Sequence, residues 1–171
     1  LQAVRAGSVL VANAPGAGFL ESSALLGFLP ALARHLLGEE LALPALHTWW
    51  CGEPAALREA LPGLARSVVK PTYPWSTSRG TFGAGVGPMM SPEVLDSWRA
   101  SIQRRPEEHT VQAYLPASRM PVWAGHGAGA HVQSRAAILR VFALCDGQGS
   151  WRVLPGGMTR LVSESAGLAS M

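Results

Sequence analysis

The sequence Ser67-Val68-Val69-Lys70-Pro71 is typical of a short buried strand, because apolar β-branched residues run up to a proline that ends the strand. Lys70, at the end of this strand, could direct its ammonium group toward a ligand phosphate, since the fixed φ of Pro71 holds the exit of the chain. The alternative is a surface lysine whose stem covers apolar neighbours while its charge stays in water. Lys70 is therefore the first candidate ligand-binding residue.

A glycine-dense segment follows this strand: residues 79–87 read Arg-Gly-Thr-Phe-Gly-Ala-Gly-Val-Gly. Glycines allow consecutive backbone N–H groups to approach a phosphate closely, which makes the segment a candidate phosphate loop. It contains neither the Gly-Lys-Ser/Thr of a Walker A loop nor the glycine spacing of a dinucleotide fingerprint. A glycine-rich hairpin without a ligand therefore stays open as the alternative.

The residues before Ser67 predict two extended segments and two helices. The extended segments are 8–13, expected to be a buried strand, and 41–50; the helices are 21–38 and 53–61. We expect Gly38 to end the longer helix and Pro54 to lie in the first turn of the shorter one.

The residues after Pro71 predict one helix and several strands. In chain order the elements are a loop or hairpin 72–90, a helix 91–105, a strand 110–115, an irregular segment 117–133, a strand 136–144, a hairpin turn 146–149 with its partner strand 150–154, a turn at 155–157 and a final segment 158–162. Strands that alternate with helices, together with a closing hairpin, favour an α/β or α+β fold with a mixed sheet.

The composition argues against two classes of partner. Basic residues are dispersed, with Arg104-Arg105 the only adjacent pair, so the net charge of +3 does not predict a nucleic-acid partner. The most apolar stretch, 19–37, is interrupted by charged residues and by Pro30, so we expect no membrane span. The sequence also lacks the pattern of a signal peptide, which favours a cytoplasmic location.

Charge density and cysteine content bear on the surroundings of the chain. Only 15% of residues are charged and 48% are apolar, so we expect part of the surface to face more of the same polypeptide or a second subunit, as in a homo-oligomer. Cys51 and Cys145 are far apart in apolar surroundings, which predicts two buried thiols rather than a disulfide.

Two arginines stand in apolar segments of the C-terminal part. Arg140 interrupts Ala-Ala-Ile-Leu-Arg-Val-Phe-Ala-Leu, where a guanidinium needs an anionic partner or a cleft. That partner could equally be a structural carboxylate. Arg160, in Gly-Gly-Met-Thr-Arg-Leu-Val, leaves the same two interpretations open, with greater exposure expected.

Other polar residues are weaker candidates on local sequence alone. The strand that contains Gln112 could pair its backbone with an adenine edge, although nothing local requires it. Asn13, before a Pro-Gly turn, could offer an oxygen to Mg²⁺, but capping the turn is the favoured interpretation. His126 and His131 have no third ligand nearby in the sequence, so a metal site at these histidines is not expected.

Taken in order, several segments resemble the circularly permuted ATP-grasp family, which is related to glutathionylspermidine synthetases and often accompanies a helical alpha-E domain. The resemblance covers nearly the whole chain, and its specificity lies in the ordered set. The segments are 8–18, 36–40, 68–71, 111–112, 139–142 and 154–160.

The resemblance implies an incomplete ATP-grasp-like fold with a mixed or antiparallel sheet and flanking helices. It divides residues 1–171 into a permuted N-terminal part, 1–65, a part with the lysine strand, glycine-rich loop and hinge, 66–116, and a C-terminal sheet part, 117–171. The cofactors it implies are ATP and Mg²⁺.

The resemblance also implies a role for each candidate residue. Lys70 resembles the lysine that contacts nucleotide phosphates, and Gln112 would lie in the hinge near adenine. Arg140 would approach the phosphates or an acyl-phosphate, with Arg160 as a helper, and Asn13 resembles the amide ligand of Mg²⁺. The flexible phosphate loop would be 80–87, with Gly80, Gly83 and Gly85 in contact with the nucleotide.

The function implied is that of an ATP-dependent carboxylate–amine ligase acting through an acyl-phosphate, with a small-molecule carboxylate and an amine as substrates. Family members carry acidic metal ligands before the Asn13 segment and a Ser/Gly-rich segment after the Pro-Gly-Gly-x-Thr-Arg motif. We therefore expect this chain to be part of a longer ligase and to be inactive alone. The alternatives are a degenerate ATP-grasp domain serving as a binding or assembly module and a structural domain that binds nothing.

Overall fold

The strand predicted at Ser67–Pro71 lies inside a four-stranded antiparallel sheet. The computed structural model describes residues 1–13, 15–73 and 83–161, and it divides the chain into an N-terminal unit, Leu1–Tyr114, and a C-terminal unit, Leu115–Met171. The four-stranded sheet belongs to the N-terminal unit and has the strand order β1-β4-β2-β3. Its strands are β1 (Thr48–Trp50), β2 (Ser67–Pro71), β3 (Gly85–Val86) and β4 (His109–Ala113).

The register of this sheet separates an apolar face from a polar one. Val69 pairs with Val111, and both are fully buried in the core. Because successive side chains alternate between faces, the opposite face carries Lys70 and Thr110, which pair directly, and Gln112. The predicted strands at 67–71 and 110–115 are confirmed, and the polar face is where Lys70 and Gln112 lie.

The described residues of this unit form four α-helices: α1 (Gln2–Arg5), α2 (Leu25–Leu37), α3 (Pro54–Ala60) and α4 (Pro92–Arg104). The sequence predicted α2, α3 and α4, with Gly38 ending α2 at φ 70°, a left-handed conformation that favours glycine. Ser91 caps α4 by accepting a hydrogen bond from the Val94 N–H. Within the described ranges, no helix has both the length and the apolar character needed to cross a membrane.

The core of the N-terminal unit forms between the apolar face of the sheet and the segments around α3 and α4. Short 3₁₀ turns connect the elements at Ala17–Glu21, Leu61–Arg66, Gly87–Met89 and Pro106–Glu108. Leu64 and Ile102 are fully buried and pack with Val69 and Val111. Burying such aliphatic side chains contributes roughly 1.5–3 kcal/mol each, so this cluster stabilises the sheet that carries Lys70.

The prediction of a buried strand at 8–13 was wrong. These residues form bends rather than a strand, and Leu10 is 98% exposed. Apolar β-branched residues favour a strand only where a neighbouring strand can take the backbone hydrogen bonds, and this segment pairs with none in the described part of the chain. The extended segment 41–50 is likewise a strand only at its end, in β1.

The C-terminal unit contains a three-stranded antiparallel sheet in the order β5-β6-β7. Its strands are β5 (Arg119–Ala124), β6 (His131–Cys145) and β7 (Trp151–Leu161), with a 3₁₀ turn at Gly127–Gly129. The prediction of an irregular segment at 117–133 was therefore wrong. Its glycines are confined to the connection between two strands, and Pro121 is tolerated because β5 is an edge strand.

The hairpin that closes this sheet follows the prediction. Its turn is held by the Asp146 carboxylate, which accepts hydrogen bonds from the N–H groups of Gln148 and Ser150 at 2.8 and 3.1 Å. These N–H groups favour the ionised carboxylate and hold the pKa of Asp146 below its usual value. The Asp-Gly sequence was therefore sufficient to predict this hairpin turn.

The predicted turn at 155–157 was wrong, because β7 continues through these residues. The register shifts between Val141, which pairs with Gly157, and Ala143, which pairs with Val153. The extra residues of β7 are accommodated as a bulge, where Gly156 has a φ of 126°. Pro155 is compatible with this arrangement because β7 is the other edge of the sheet.

Candidate functional site

The end of strand β2 is fixed by hydrogen bonds on the side of the chain that follows Lys70. The Ser23 hydroxyl donates to the Pro71 carbonyl at 2.8 Å, and the Ser22 hydroxyl donates to the Thr72 carbonyl at 2.9 Å. The Thr72 N–H in turn donates to the Glu108 carbonyl at 2.8 Å. Lys70 therefore stands on a rigid stretch of backbone, which limits the positions that its ammonium group can reach.

Lys70 and Gln112 are brought together on the polar face of the sheet. The Lys70 ammonium donates to Gln112 Oε1 at 2.7 Å, and Gln112 Nε2 donates to Thr48 Oγ1 at 2.9 Å. Gln112 and Thr48 are buried, whereas Lys70 is partly exposed. The sequence indicated Lys70 and Gln112 separately but not Thr48, whose only local signal is a hydroxyl at the start of the strand Thr48–Trp50.

Burial changes the acid–base behaviour of Lys70. Desolvation of its side chain disfavours the charged form and lowers the pKa of the ammonium group below its usual value. A phosphate next to this group would favour the charged form again, so a bound anion is expected to raise the pKa. The position thus suits an anionic ligand better than it suits a free surface charge.

Lys70 is also the single lysine among the 171 residues, since the other 13 basic side chains are arginines. Lysine and arginine differ in what they recognise: an ammonium is a compact charge with three donors, whereas a guanidinium is a planar fork. In this chain only one side chain carries an ammonium group, and it lies at the end of β2.

The glycine candidates lie in different surroundings. Gly83 is exposed, with open space where a side chain would be. Gly85 is buried in β3 opposite Val69, and a Cβ there would overlap with Met90 and come within 2.9 Å of the Trp98 ring. Close packing against α4 therefore requires glycine at 85. Gly80 lies outside the described residues, as do residues 74–82.

In the C-terminal unit, the register places Arg140 and Arg160 on the same face of the sheet. Arg160 pairs with Ile138, and Arg140 pairs with Met158. Directly opposed residues share a face of the sheet, as do residues two apart on one strand. The two arginines are therefore diagonal neighbours, with backbones about 7–8 Å apart. Both are exposed, and in the described ranges neither makes an ion pair.

A third arginine, Arg119, extends this face and was missed by the sequence reasoning. Arg119 lies on β5 and pairs with Ala136 of β6, which places it on the same side of the sheet as Arg140. Its guanidinium donates to the hydroxyl of Ser134 at 3.1 Å and to the Ser134 carbonyl at 2.6 Å. The three guanidinium groups, which we call the arginine face, form a surface suited to anions.

The described residues do not provide a magnesium site of the expected kind. No three His, Cys, Asp or Glu side chains in residues 1–13, 15–73 and 83–161 lie close enough together to hold a metal ion. Asn13 is exposed in a bend rather than at the end of a strand. A hard cation such as Mg²⁺ requires carboxylate oxygens beside an amide, so these residues alone do not fit it.

The two cysteines differ, which corrects one prediction. Cys51 is buried next to β1, and desolvation raises the pKa of its thiol to about 11. Cys145, expected to be buried, is exposed because it lies at the end of β6 beside the hairpin turn. With its pKa raised, the Cys51 thiol stays protonated at neutral pH and is not a candidate nucleophile.

Comparison with known proteins identifies the family of the chain. The model of the family described as circularly permuted ATP-grasp type 2 matches residues 1–162. A protein of Frankia alni named "Putative glutamate--cysteine ligase 2-3" is 34% identical over 142 residues, which cover 83% of this chain and 16% of the relative.

Two further relatives match over more of the chain. A protein of Frankia casuarinae named "Putative glutamate--cysteine ligase 2-2" is 30% identical over 94% of this chain and 18% of its own length. A protein of Synechocystis sp. is 29% identical over 98% of this chain and 33% of its own length. The chain thus spans a third or less of these relatives, and the ligase names belong to the longer proteins.

The antiparallel sheets and flanking helices are consistent with an ATP-grasp-like fold, and the family match extends over all of the residues described. Because this match covers residues 1–162, the chain belongs to the circularly permuted ATP-grasp type 2 family.

Proposed function

We propose that this chain is the nucleotide-binding part of an ATP-dependent carboxylate–amine ligase. The family match and the ligase names of two relatives support this kind of activity. The observation that carries the proposal is the setting of Lys70, the one lysine of the chain, which stands partly buried at a fixed strand end with its ammonium held by Gln112. Such a group is suited to a phosphate of ATP.

The proposed reaction has two steps. A carboxylate oxygen of the first substrate attacks the γ-phosphorus of ATP, the bond from the γ-phosphorus to the bridging oxygen breaks, and ADP leaves with that electron pair. The nitrogen of an amine then attacks the acyl carbon of the acyl-phosphate, inorganic phosphate departs, and the nitrogen loses a proton. The products are an amide, ADP and phosphate. Positioning and charge stabilisation supply the rate in such phosphoryl transfers.

We assign roles to the cations of this chain accordingly. Lys70 contacts the phosphates of the nucleotide through the donors that Gln112 does not use. Arg140 and Arg160 stabilise negative charge on the transferred phosphoryl group or on the acyl-phosphate, because paired guanidinium groups bind such oxygens in a bidentate manner. Magnesium accompanies ATP as substrate, and we assign no step to metal ligands within the described residues.

The proposal is tested by isothermal titration of Mg²⁺–ATP into the full-length protein. We expect saturable binding that Lys70→Ala weakens about tenfold or more, since a charge-assisted hydrogen bond to phosphate is lost. Arg66→Ala, which removes an exposed positive charge four residues earlier, is the matched control and is expected to stay within about twofold. Unchanged binding in Lys70→Ala would remove Lys70 from the nucleotide site, and absence of any binding would end the proposal.

A second function, a binding or assembly module without catalysis, is favoured by one observation. The described residues contain no cluster of three potential metal ligands. The two functions separate in an assay of ADP release by the full-length protein with pools of carboxylic acids and amines. ADP release that requires both an acid and an amine identifies a ligase, whereas nucleotide binding without such release identifies the module. We propose that the 171-residue chain alone does not complete the reaction in either case.

A further inference from the structure

Lys70 is the end of a chain of three hydrogen bonds that reaches strand β1. The Lys70 ammonium donates to Gln112 Oε1 at 2.7 Å, Gln112 Nε2 donates to Thr48 Oγ1 at 2.9 Å, and the Thr48 hydroxyl donates to the Leu46 carbonyl at 2.9 Å. Gln112 uses its oxygen for Lys70 and its nitrogen for Thr48, whereas Thr48 Oγ1 both accepts from Gln112 and donates to Leu46. We call this set of bonds the Thr48 relay.

The direction of the relay is fixed by what each group can donate. An ammonium has only donors, so it requires the oxygen of the Gln112 amide rather than the nitrogen. The amide nitrogen must then face Thr48 and donate, and the Thr48 hydroxyl, which accepts this bond, is left to donate its own proton to Leu46. Only one orientation of the Gln112 amide satisfies all three bonds: the Lys70 ammonium requires its oxygen, and the Thr48 hydroxyl then accepts from its nitrogen.

Burial gives this orientation an energetic basis. Gln112 and Thr48 expose only 6% and 8% of their surfaces, so water is not a ready substitute for a lost partner. A buried amide N–H without its acceptor is costly, and a movement of the Gln112 side chain toward another acceptor would relieve that cost. Such a movement would take Gln112 Oε1 away from the ammonium and weaken the bond that holds Lys70.

The position of Thr48 is itself determined by close packing. Thr48 pairs with Gln112 in the register of β1 and β4, which places both side chains on the same face. Helix α2 approaches this point so closely that a Cβ on Gly27 would lie 2.6 Å from the Thr48 carbonyl oxygen. The relay therefore has one arrangement, fixed by two packed elements.

We propose that Thr48 and Gln112 are positioning residues, which hold the Lys70 ammonium where its remaining donors meet a nucleotide phosphate. This inference rests on the proposed function and goes beyond it, since it assigns Gln112 to the lysine instead of to adenine and adds Thr48 to the site. Gln112 occupies one ammonium donor and leaves the other two directed away from it.

The variants Thr48→Val and Thr48→Ser test the relay in the full-length protein. Valine keeps the shape and strand preference of threonine but removes the acceptor for Gln112, whereas serine keeps the hydroxyl. We expect Thr48→Val to weaken Mg²⁺–ATP binding about 5- to 10-fold in isothermal titration, from the loss of one buried hydrogen bond and the misorientation it causes. Thr48→Ser is expected to stay within about twofold of the wild type.

A double-mutant cycle separates positioning from a general structural effect. In a Lys70→Ala background the relay has nothing to position, so adding Thr48→Val is expected to change nucleotide affinity less than about twofold. An equal loss in both backgrounds would overturn the inference, because Thr48 would then act independently of Lys70. Circular dichroism verifies folding, and Thr48→Ala replaces Thr48→Val if the latter does not fold.

A second readout uses the fact that the chain has one lysine. Selective ¹³C labelling of lysine at Cε yields a single signal from residues 1–171, which is assigned by its loss in Lys70→Ala and whose titration reports the pKa of Lys70. Because Gln112 Oε1 favours the charged ammonium, Thr48→Val is expected to lower this pKa further, and Thr48→Ser is expected to leave it unchanged.

The outcomes distinguish the two proposals. If Thr48→Val changes neither the Lys70 titration nor the nucleotide affinity, the positioning role of Thr48 is wrong, while the proposed ligase function still stands. A wild-type protein that binds no Mg²⁺–ATP, but whose Lys70 titration depends on Thr48, would remove the proposed function and with it the nucleotide role of the relay.

Discussion

The two units use antiparallel sheets in different ways. In the N-terminal unit one face of the sheet is covered by α3, α4 and their connections, and all of the buried residues of the described chain lie in this unit. In the C-terminal unit no described residue is buried, although β6 and β7 are far longer strands. Strand length and hydrogen bonding therefore do not by themselves create a core; a covering layer does.

The units also differ in charge. Residues 1–114 contain nine basic and nine acidic residues, whereas residues 115–171 contain five arginines and two acidic residues, so the net charge of +3 resides in the C-terminal unit. The N-terminal unit presents one ammonium group in a packed polar site, and the C-terminal unit presents several guanidinium groups on an open surface. A buried site depends on exact packing, whereas an exposed face depends on the density of charge.

The largest effect is expected from removing a core side chain of the N-terminal unit. Leu64→Ala should reduce the free energy of unfolding by about 2–5 kcal/mol, because a fully buried leucine leaves a cavity. The matched change Leu139→Ala, at a position 68% exposed on β6, should cost less than about 1 kcal/mol. Urea unfolding measures both, and equal costs would contradict the contrast between the units.

The two units are also expected to differ, to a smaller extent, in the reactivity of their cysteines. A thiol reagent at neutral pH should modify Cys145 at once and Cys51 at least about 100-fold more slowly, because Cys51 is buried and its pKa is raised to about 11. The Cys145→Ser variant identifies the slow thiol, and mass spectrometry follows both. Rapid modification of Cys51 would mean that the N-terminal core opens readily.

The arginine face is expected to contribute less than the core but measurably to activity. Under the proposed function, Arg140→Ala should reduce turnover by the full-length protein about tenfold, through loss of charge stabilisation. Arg152→Ala removes an exposed arginine that lies on the same face of this sheet but beyond the register shift of β7, opposite Leu144, and it should remain within about twofold. A similar loss in both variants would indicate a general effect of net charge rather than a role for position 140.

The smallest effect concerns pH. Burial lowers the pKa of His109, which lies in β4 with its ring against Trp98, while the Arg105 carbonyl opposes that shift in part. The folded state therefore binds a proton less readily than the unfolded state, so stability should decrease as pH falls through about 6.5 and level off below the folded pKa. The free energy of unfolding of wild type and of His109→Gln, measured between about pH 8 and pH 5, checks this. An equal dependence on pH in both proteins would show that His109 does not cause the decrease.

Local sequence signals were sufficient for some elements. Helix α2 was predicted from its apolar spacing and Gly38, and α4 from Ser91-Pro92 at its start, because caps and prolines act on neighbouring residues. The strands around Val69 and Val111 were predicted because apolar runs end at prolines. The family resemblance assigned Lys70 to the nucleotide phosphates, and that assignment stays a prediction.

The failures have a common physical origin. Residues 8–13 have the composition of a strand but no partner in the described chain, and β5 has a proline but a partner in β6. Whether backbone groups find a neighbour is a property of the whole fold, which a local window does not contain. The contact of Lys70 with Gln112, 42 residues later, and that of Gln112 with Thr48 depend on register in the same way.

Both outer strands of the C-terminal sheet contain a proline, Pro121 in β5 and Pro155 in β7. A proline lacks the amide proton that an additional strand would require, so each border offers an incomplete template for sheet extension. A sheet with exposed apolar residues is thereby protected from growth into aggregates along its borders. Any protein surface that covers this sheet is accordingly expected to pack against the side chains on one of its two faces rather than against its edges.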